Sequence, residues 1–270
     1  MAGQEQTGAG ASRPGGPRPL ATGVVYEVLT FVGEIFLLFV DALARMFRRP
    51  FEFGETLKQM AFIGASSVPI VVLTTFSSGA VIALYSADLL VQYGAGSLAG
   101  ATVGIALCRE IAPVLAGMMV AARCGSAMAA QIGSMAVTEQ IDALRSLNVS
   151  PTGYLVVPRL LASVTMLPVL CMVGIFSGVY GGYLVSVKMS GIASGTFMDS
   201  LRQFVEPADF QGGMIKTVAF GLVIGLVACQ QGLRTRRGAV GVGEATTRTV
   251  VITMVLIYVV NYFMTVWLFG

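Results

Sequence analysis

Five stretches of this chain are long and almost entirely apolar, at about residues 61–87, 97–122, 154–186, 213–233 and 249–269. A helix needs about 20 predominantly apolar residues to cross a bilayer, and each stretch is long enough. The short alternating segments of a membrane β-barrel are absent from the sequence. Only 11% of the residues are charged, whereas soluble domains usually carry about 25%. The pattern predicts an all-α integral membrane protein with five transmembrane helices.

The segment before the first span, residues 24–47, is apolar but contains three acids. Glu27, Glu34 and Asp41 recur every seven residues, so they lie near one face of a helix. Each acid would cost about 2.5–3.5 kcal/mol at the centre of a bilayer. We therefore predict an interfacial helix at 24–47, with its acids towards water. The alternative is a true span whose acids face other helices.

The ends of the chain and the loops differ in composition and charge. Residues 1–22 are rich in Gly, Pro and Ala, which predicts a disordered tail before a single membrane domain at 23–270. Cytoplasmic loops carry an excess of Lys and Arg. Basic residues are concentrated before the first span and in two loops, 123–151 and 234–248. The amino terminus is therefore predicted to be cytoplasmic and the carboxyl terminus to lie outside.

Arg109 and Glu110 are the most unusual residues, because they lie near the middle of the second span. Neighbouring residues do not share a helix face, so each needs its own partner. Charges at this depth usually face a bundle interior or a wet cavity, although a purely structural pair is the alternative. Pro113 follows and predicts a kink. Lys216 either reaches the outer interface or joins Arg109 and Glu110 around a polar pocket for an anionic head group.

A short amphipathic helix is predicted between the second and third spans, over residues 139–147. Its apolar residues fall on one side and its charged residues elsewhere, and Asn148 and Pro151 end it. Such a helix is either a solvated loop or a docking element for a cytoplasmic partner. The docking interpretation assigns the contact to Glu139, Gln140, Ile141, Asp142, Leu144, Arg145 and Leu147.

Several classes of function lack their signatures in this sequence. The chain has no histidine, its four cysteines form no CxxC pair, and no GKS or GKT phosphate loop occurs. We therefore expect no metal, no cofactor, no nucleic-acid partner and no catalysis by this chain. Five is an odd number of spans, which counts against an inverted-repeat transporter. Two functions stay open at this point, an autonomous secondary transporter or channel and a membrane-embedded lipid enzyme, and the second would need clustered catalytic carboxylates or histidines, which the chain does not offer.

A set of motifs in one order resembles the MlaE/YrbE family of permeases. The strings are REIAPVLAGMMVAARCGSAMAAQIGSMAVTEQIDALRSLNVSP, VPRLLASVTMLPVL, GGYLV, GMIKTVAFGLVIGL and GAVGVGEATTRTVV. The resemblance implies the permease of an ABC transporter in the bacterial inner membrane that moves phospholipid or a related lipid. It also implies a homodimer, a cytoplasmic ATPase, an MCE-domain protein on the outer side and a small cytoplasmic accessory subunit.

The resemblance also implies roles for individual residues. Arg109, Glu110 and Lys216 match charged positions that the family places near its substrate cavity, and residues 139–147 match its ATPase-contacting helix. Asn261 stands where many members carry Asp, and the third span lacks an acid that many relatives have. These departures imply a less acidic cavity.

Overall fold

The computed structural model describes residues 20–46 and 53–270, and these ranges are helical with short connections and no β-strand. The finding confirms the all-α prediction. In chain order the helices are α1 (Leu20–Met46), α2 (Phe53–Gln92), α3 (Gly96–Val137), α4 (Gln140–Ser146), α5 (Thr152–Lys188), α6 (Ser194–Phe204), α7 (Pro207–Leu233) and α8 (Gly238–Phe269). Pi-helical turns interrupt α3 at Leu107–Ile111 and Ala121–Gly125, and α5 starts with one at Thr152–Val156.

Five of these helices, α2, α3, α5, α7 and α8, are long and apolar enough to cross a membrane. This confirms the predicted number of spans, while the orientation of the chain stays a prediction. Residues 1–19 of the predicted tail, 1–22, lie outside the described residues. Its last three residues, 20–22, are helical, because α1 already begins at Leu20. The basic residues Arg48 and Arg49 also lie outside the described part of the chain.

All five helices extend beyond the predicted spans, and α2 and α8 begin at Phe53 and Gly238 rather than at about 61 and 249. The extensions of α3 and α7 bear on the candidate site. The α3 helix continues to Val137, past the predicted end at 122. The residues that follow include several alanines, which have high helix propensity. Met128 and Ile132 lie on one face of this extension and are buried. Most of the predicted polar loop at 123–151 is therefore helix. The α7 helix begins at Pro207 rather than at 213. A capping box formed by Glu206 and Asp209 fixes this start.

Small residues allow the spans to approach closely. At Gly79 of α2 a Cβ atom would collide with the backbone carbonyl of Gly178 in α5. Ser163 of α5 donates to the carbonyl of Gly221 in α7 at 2.8 Å. Close approach of this kind is how helices associate in lipid. In the most apolar stretch of α7, 67% of the residues are buried, whereas in that of α8 only 17% are. Helix α7 is therefore the central helix of the bundle.

Helix α1 packs against the start of α5 and one end of α7, with Ala42 buried in the contact. Glu34 accepts a hydrogen bond from Gln230 of α7 at 2.8 Å and lies 3.4 Å from the Arg234 guanidinium. Asp41 pairs instead with Arg45 on α1 itself, and both side chains are about 40% exposed. Glu34 therefore faces another helix, but α1 is not among the helices long and apolar enough to cross a membrane, so the alternative of a sixth span is not supported. The interfacial position of α1 stays a prediction. The side chain of Glu27 lies outside the described residues.

Candidate functional site

Arg109 and Glu110 both lie in the first π-helical turn of α3. An extra residue in such a turn changes the direction of the neighbouring side chains, and π-turns are frequent at functional sites. The prediction that the two residues have different partners is confirmed. Each forms an ion pair with a residue of α7, about one hundred positions further along the chain.

Arg109 pairs with Asp209 at the start of α7. Its Nε and Nη2 atoms both lie 2.6 Å from Asp209 Oδ1. The other carboxylate oxygen of Asp209 accepts the backbone N–H of Glu206 at 3.0 Å. The guanidinium also lies over the Phe269 ring, 4.6 Å from its centre, at a distance that favours a cation–π contact. Arg109 therefore ties α3 to the start of α7 and the end of α8.

Lys216 pairs with Glu110, and its side chain is completely buried. Its Nζ donates to Glu110 Oε1 at 2.6 Å, to the carbonyl of Arg109 at 2.7 Å and to Thr265 Oγ1 at 2.7 Å. An ammonium group has three donors, so all of them are used. The alternative in which Lys216 extends to the outer interface is wrong.

Pro113 accounts for one of these contacts. In a regular α-helix the amide of residue 113 would donate to the carbonyl of Arg109, but proline has no amide hydrogen. Lys216 donates to that carbonyl instead. A carbonyl without a partner would be costly in lipid. The ammonium of Lys216 thus balances the charge of Glu110 and also satisfies the backbone that Pro113 leaves open.

Glu110 is the charged residue of this cluster that lines a cavity, and its side chain is 39% exposed. Its Oε1 accepts from Lys216 and Thr265, and its Oε2 accepts from Asn261 Nδ2 at 2.7 Å. Because a carboxylate only accepts, this contact fixes which end of the Asn261 amide points at Glu110. Asn261 Oδ1 is left without a hydrogen-bond partner among the described residues.

A cavity of about 570 Å³ lies beside Glu110, between α2, α3 and α8. It is mostly apolar, with polar groups on each of the three helices. Its lining consists of Ser77, Ser78, Val81, Ile82, Glu110, Ile111, Val114, Leu115, Met118, Tyr258 and Asn261. Arg109 and Lys216, which were predicted to bound the same pocket, do not line it. The structure brings the three predicted residues into one cluster, but of the three only Glu110 lines the cavity.

Sequence reasoning missed three partners of this cluster: Asp209, Thr265 and Phe269. Asp209 was assigned to a loop, although Glu206, Pro207 and Asp209 together are a helix-start pattern. With α7 started there, Asp209 and Lys216 are seven residues apart and fall on one face. Thr265 and Phe269 carry no charge, so no energetic cost marked them in the sequence.

The predicted docking helix is present as α4, Gln140–Ser146, with Glu139 just before it. Two of the seven residues that the docking interpretation assigned to the contact pack against the chain itself. Ile141 is only 5% exposed and Leu144 packs against the same cluster as Leu155 and Val156, so the chain covers both. Leu147 is 73% exposed. Of the residues predicted to contact the partner, five are exposed and available to it: Glu139, Gln140, Asp142, Arg145 and Leu147.

Comparisons with known proteins agree with the motifs. The model of the family Permease MlaE matches residues 56–267. A probable ABC transporter permease protein of Rickettsia bellii is 42% identical over 234 residues, 87% of this chain and 90% of that protein. A probable ABC transporter permease protein of Synechocystis sp. is 39% identical over 87% of each chain. Arabidopsis thaliana protein TRIGALACTOSYLDIACYLGLYCEROL 1, chloroplastic, is 33% identical over 83% of this chain and 64% of that protein.

Proposed function

The chain belongs to the MlaE permease family and is a multi-pass permease subunit of the ABC transporter class, and we propose that its cargo is a lipid. The observation that carries the proposal is the cavity beside Glu110. Its walls are mostly apolar, and its polar groups are concentrated on Ser77, Ser78, Glu110, Tyr258 and Asn261. A lipid has the matching division into acyl chains and a polar head group. The Arabidopsis relative, which is named after a glycolipid, supports the same class of cargo.

The energy for transport comes, in this proposal, from a separate cytoplasmic ATPase, because the chain itself has no phosphate loop. The ATPase binds the exposed face of α4, where Leu147 offers an apolar contact beside charged residues. The complete transporter contains two copies of this chain in the bacterial inner membrane and an MCE-domain protein on the outer side. A small cytoplasmic accessory subunit belongs to the same assembly.

Filling the cavity tests the proposal. Leu115 lines the cavity, so Leu115→Trp should displace a bound lipid from it. Val255 on α8 is 58% exposed and is not part of the lining, so Val255→Trp is the matched control. The measurements are the lipid that copurifies with each variant and ATP-dependent lipid movement between vesicles by the reconstituted complex.

We expect Leu115→Trp to lose bound lipid and transport, while Val255→Trp keeps both. Equal lipid content and equal transport in the two variants would show that the cavity is not the lipid site. Flux by the purified chain without any ATPase would instead favour the autonomous transporter.

A further inference from the structure

A second cavity, of about 450 Å³, lies where α1 and α4 end beside the start of α5 and the end of α7. The lining of this junction cavity consists of Arg45, Arg145, Asn148, Val149, Ser150, Pro151, Thr152 and Leu233. It contains two cations, and no acidic residue of the described part of the chain lines it. It shares no residue with the cavity beside Glu110 and is therefore a separate site from the one assigned to the cargo.

Both arginines of the junction cavity keep hydrogen-bond donors for a ligand. Arg45 Nε lies 2.8 Å from Asp41 Oδ1, and Arg145 Nη1 lies 2.9 Å from Asp142 Oδ1. A guanidinium has five N–H donors, so each contact uses one and leaves the others available. Each pair joins neighbouring residues of one helix, and its side chains are open to solvent. Ion pairs of this kind are weak, so an anionic ligand can compete with either carboxylate.

The start of α5 adds further donors to the same cavity. Asn148, with φ at 59°, reverses the chain between α4 and α5, a conformation that Asn adopts more readily than most residues. Ser150 Oγ accepts the amide of Gly153 at 3.3 Å, which leaves the hydroxyl hydrogen of Ser150 to donate to a ligand. A Cβ atom at Gly153 would lie 3.8 Å from Arg45 Cδ, so the Arg45 side chain passes along the first turn of α5. The positive end of a long helix thus adds to the charge of the two guanidiniums.

These donors suit a phosphate group, and their position suits a lipid. Planar guanidiniums pair with phosphate oxygens through two hydrogen bonds at a time. Val149 and Leu233 give the cavity apolar walls, and the residues of α1 that precede Arg45 include exposed apolar side chains, Leu37, Val40 and Leu43. Such a helix contacts the membrane surface. Basic pockets between transmembrane helices on the cytoplasmic side bind anionic lipid head groups, and this end of the bundle is the predicted cytoplasmic end.

We propose that the junction cavity binds the phosphate of an anionic lipid from the adjacent leaflet, held between Arg45 of α1 and Arg145 of α4. This lipid is not the cargo. It links α1 to the segment that joins α4 and α5, and its acyl chains lie along α1 in the membrane. The two exposed ion pairs on α1 and α4 open to receive it.

The test uses the purified full chain in detergent and two lipids with identical acyl chains. Dioleoylphosphatidylglycerol carries a net negative charge on its phosphate, whereas in dioleoylphosphatidylcholine the choline cancels that charge. Native mass spectrometry gives the number of lipids bound and the affinity of each. We expect the anionic lipid to bind about tenfold more tightly, as one charge-assisted hydrogen bond can supply.

Two variants place this preference in the junction cavity. Arg45→Gln/Arg145→Gln removes both guanidiniums, and the matched control Arg236→Gln/Arg248→Gln removes the same charge from exposed arginines outside the cavity. Thr152→Glu puts a carboxylate into the cavity at the start of α5, where an acid is favourable for the helix. This variant should therefore fold while it repels the phosphate. We expect both cavity variants to lose the preference and the control to keep it.

Three results would overturn the proposal. The first is a preference that survives in both cavity variants, or that falls equally in the control. The second is displacement of dioleoylphosphatidylglycerol by inorganic phosphate at the same concentration, which would make free phosphate the ligand. The third is displacement of the lipid when the cytoplasmic ATPase binds, which would assign the arginines to acidic side chains of that partner. Leu115→Trp, in the other cavity, should leave the preference intact, so this test does not depend on the nature of the cargo.

Discussion

The charged cluster on α3 and α7 and the charged face of α4 use the same kinds of side chain in opposite ways. In the cluster, each ion pair joins residues about one hundred positions apart, and one member of each pair is almost completely buried. On α4, Asp142 and Arg145 are three residues apart, and both are more than 60% exposed. Burial and sequence separation, rather than the number of charges, decide whether a pair holds the fold together.

The largest effect on stability is expected at Lys216. Lys216→Met leaves the Glu110 charge and the carbonyl of Arg109 without their donor. Breaking a buried pair costs about 3–5 kcal/mol, and we expect the lower end because Glu110 is 39% exposed. Thermal or chemical denaturation of the purified chain in detergent gives the change in the free energy of unfolding.

The double variant Lys216→Met/Glu110→Gln is the matched control, because it removes the charge that the single variant leaves unpaired. It should recover most of the lost stability. A single variant as stable as the unchanged chain would show that the buried pair does not stabilise the fold.

A smaller loss is expected at the second pair. Asp209→Asn removes the charge that faces Arg109 but keeps an oxygen that can still accept the Glu206 amide. Arg109 is 38% exposed, so water can solvate it in the variant. We expect a loss of about 1–2 kcal/mol. A double-mutant cycle with Arg109→Gln isolates the pair; a coupling energy indistinguishable from zero would contradict the assigned contact.

The sequence predicted the parts of this cluster that carry an energetic cost. Arg109 and Glu110 were recognisable because charges in the middle of a span need partners, and Lys216 because it begins an apolar run. Asp209 was not recognisable, because the predicted span began at about 213 and left Asp209 in a loop, whereas the helix begins at Pro207. Asn261 stood out in the sequence only as a departure from the family pattern, and its contact with Glu110 depends on how α8 packs, which local pattern does not specify.

The same limit explains the docking helix. Its amphipathic pattern correctly predicted a short helix, but a pattern cannot say which element covers an apolar stripe. In the structure the chain's own residues, including Leu155 and Val156, cover the side of Ile141 and Leu144. Leu147, directly after the helix, stays exposed. The length of α3 was underestimated for a related reason. The small residues after position 122 resemble a loop in composition, and only their packing against other helices shows that they continue α3.

A substitution on the exposed surface around α4 should affect binding of the ATPase more than it affects the stability of the fold. Leu147→Asp places a charge on an exposed site, so the free energy of unfolding should change by no more than about 0.5 kcal/mol. Binding of the ATPase should nevertheless be lost, because the charge would be buried in the interface. The control is Gly195→Asp, at an exposed position of α6 where a side chain meets open space, at the opposite end of α5. Copurification of the ATPase with Leu147→Asp at the level of Gly195→Asp would remove α4 from the interface.

The smallest effect is expected at the exposed pair of α4. Arg145→Gln removes the 2.9 Å contact between Arg145 and Asp142, whose side chains are 65% and 68% exposed. Water and salt already screen such a pair, and an (i, i+3) pair on a helix contributes about 0.2–0.5 kcal/mol. The melting temperature should therefore hardly move, and raising the salt concentration should reduce the difference further.

Lys216→Met should keep most of its effect in the same salt series, because its pair is shielded from ions. A loss at Arg145 as large as that at Lys216 would show that exposure does not separate the two regions. Equal salt sensitivity of the two variants would show that the buried cluster is open to solvent.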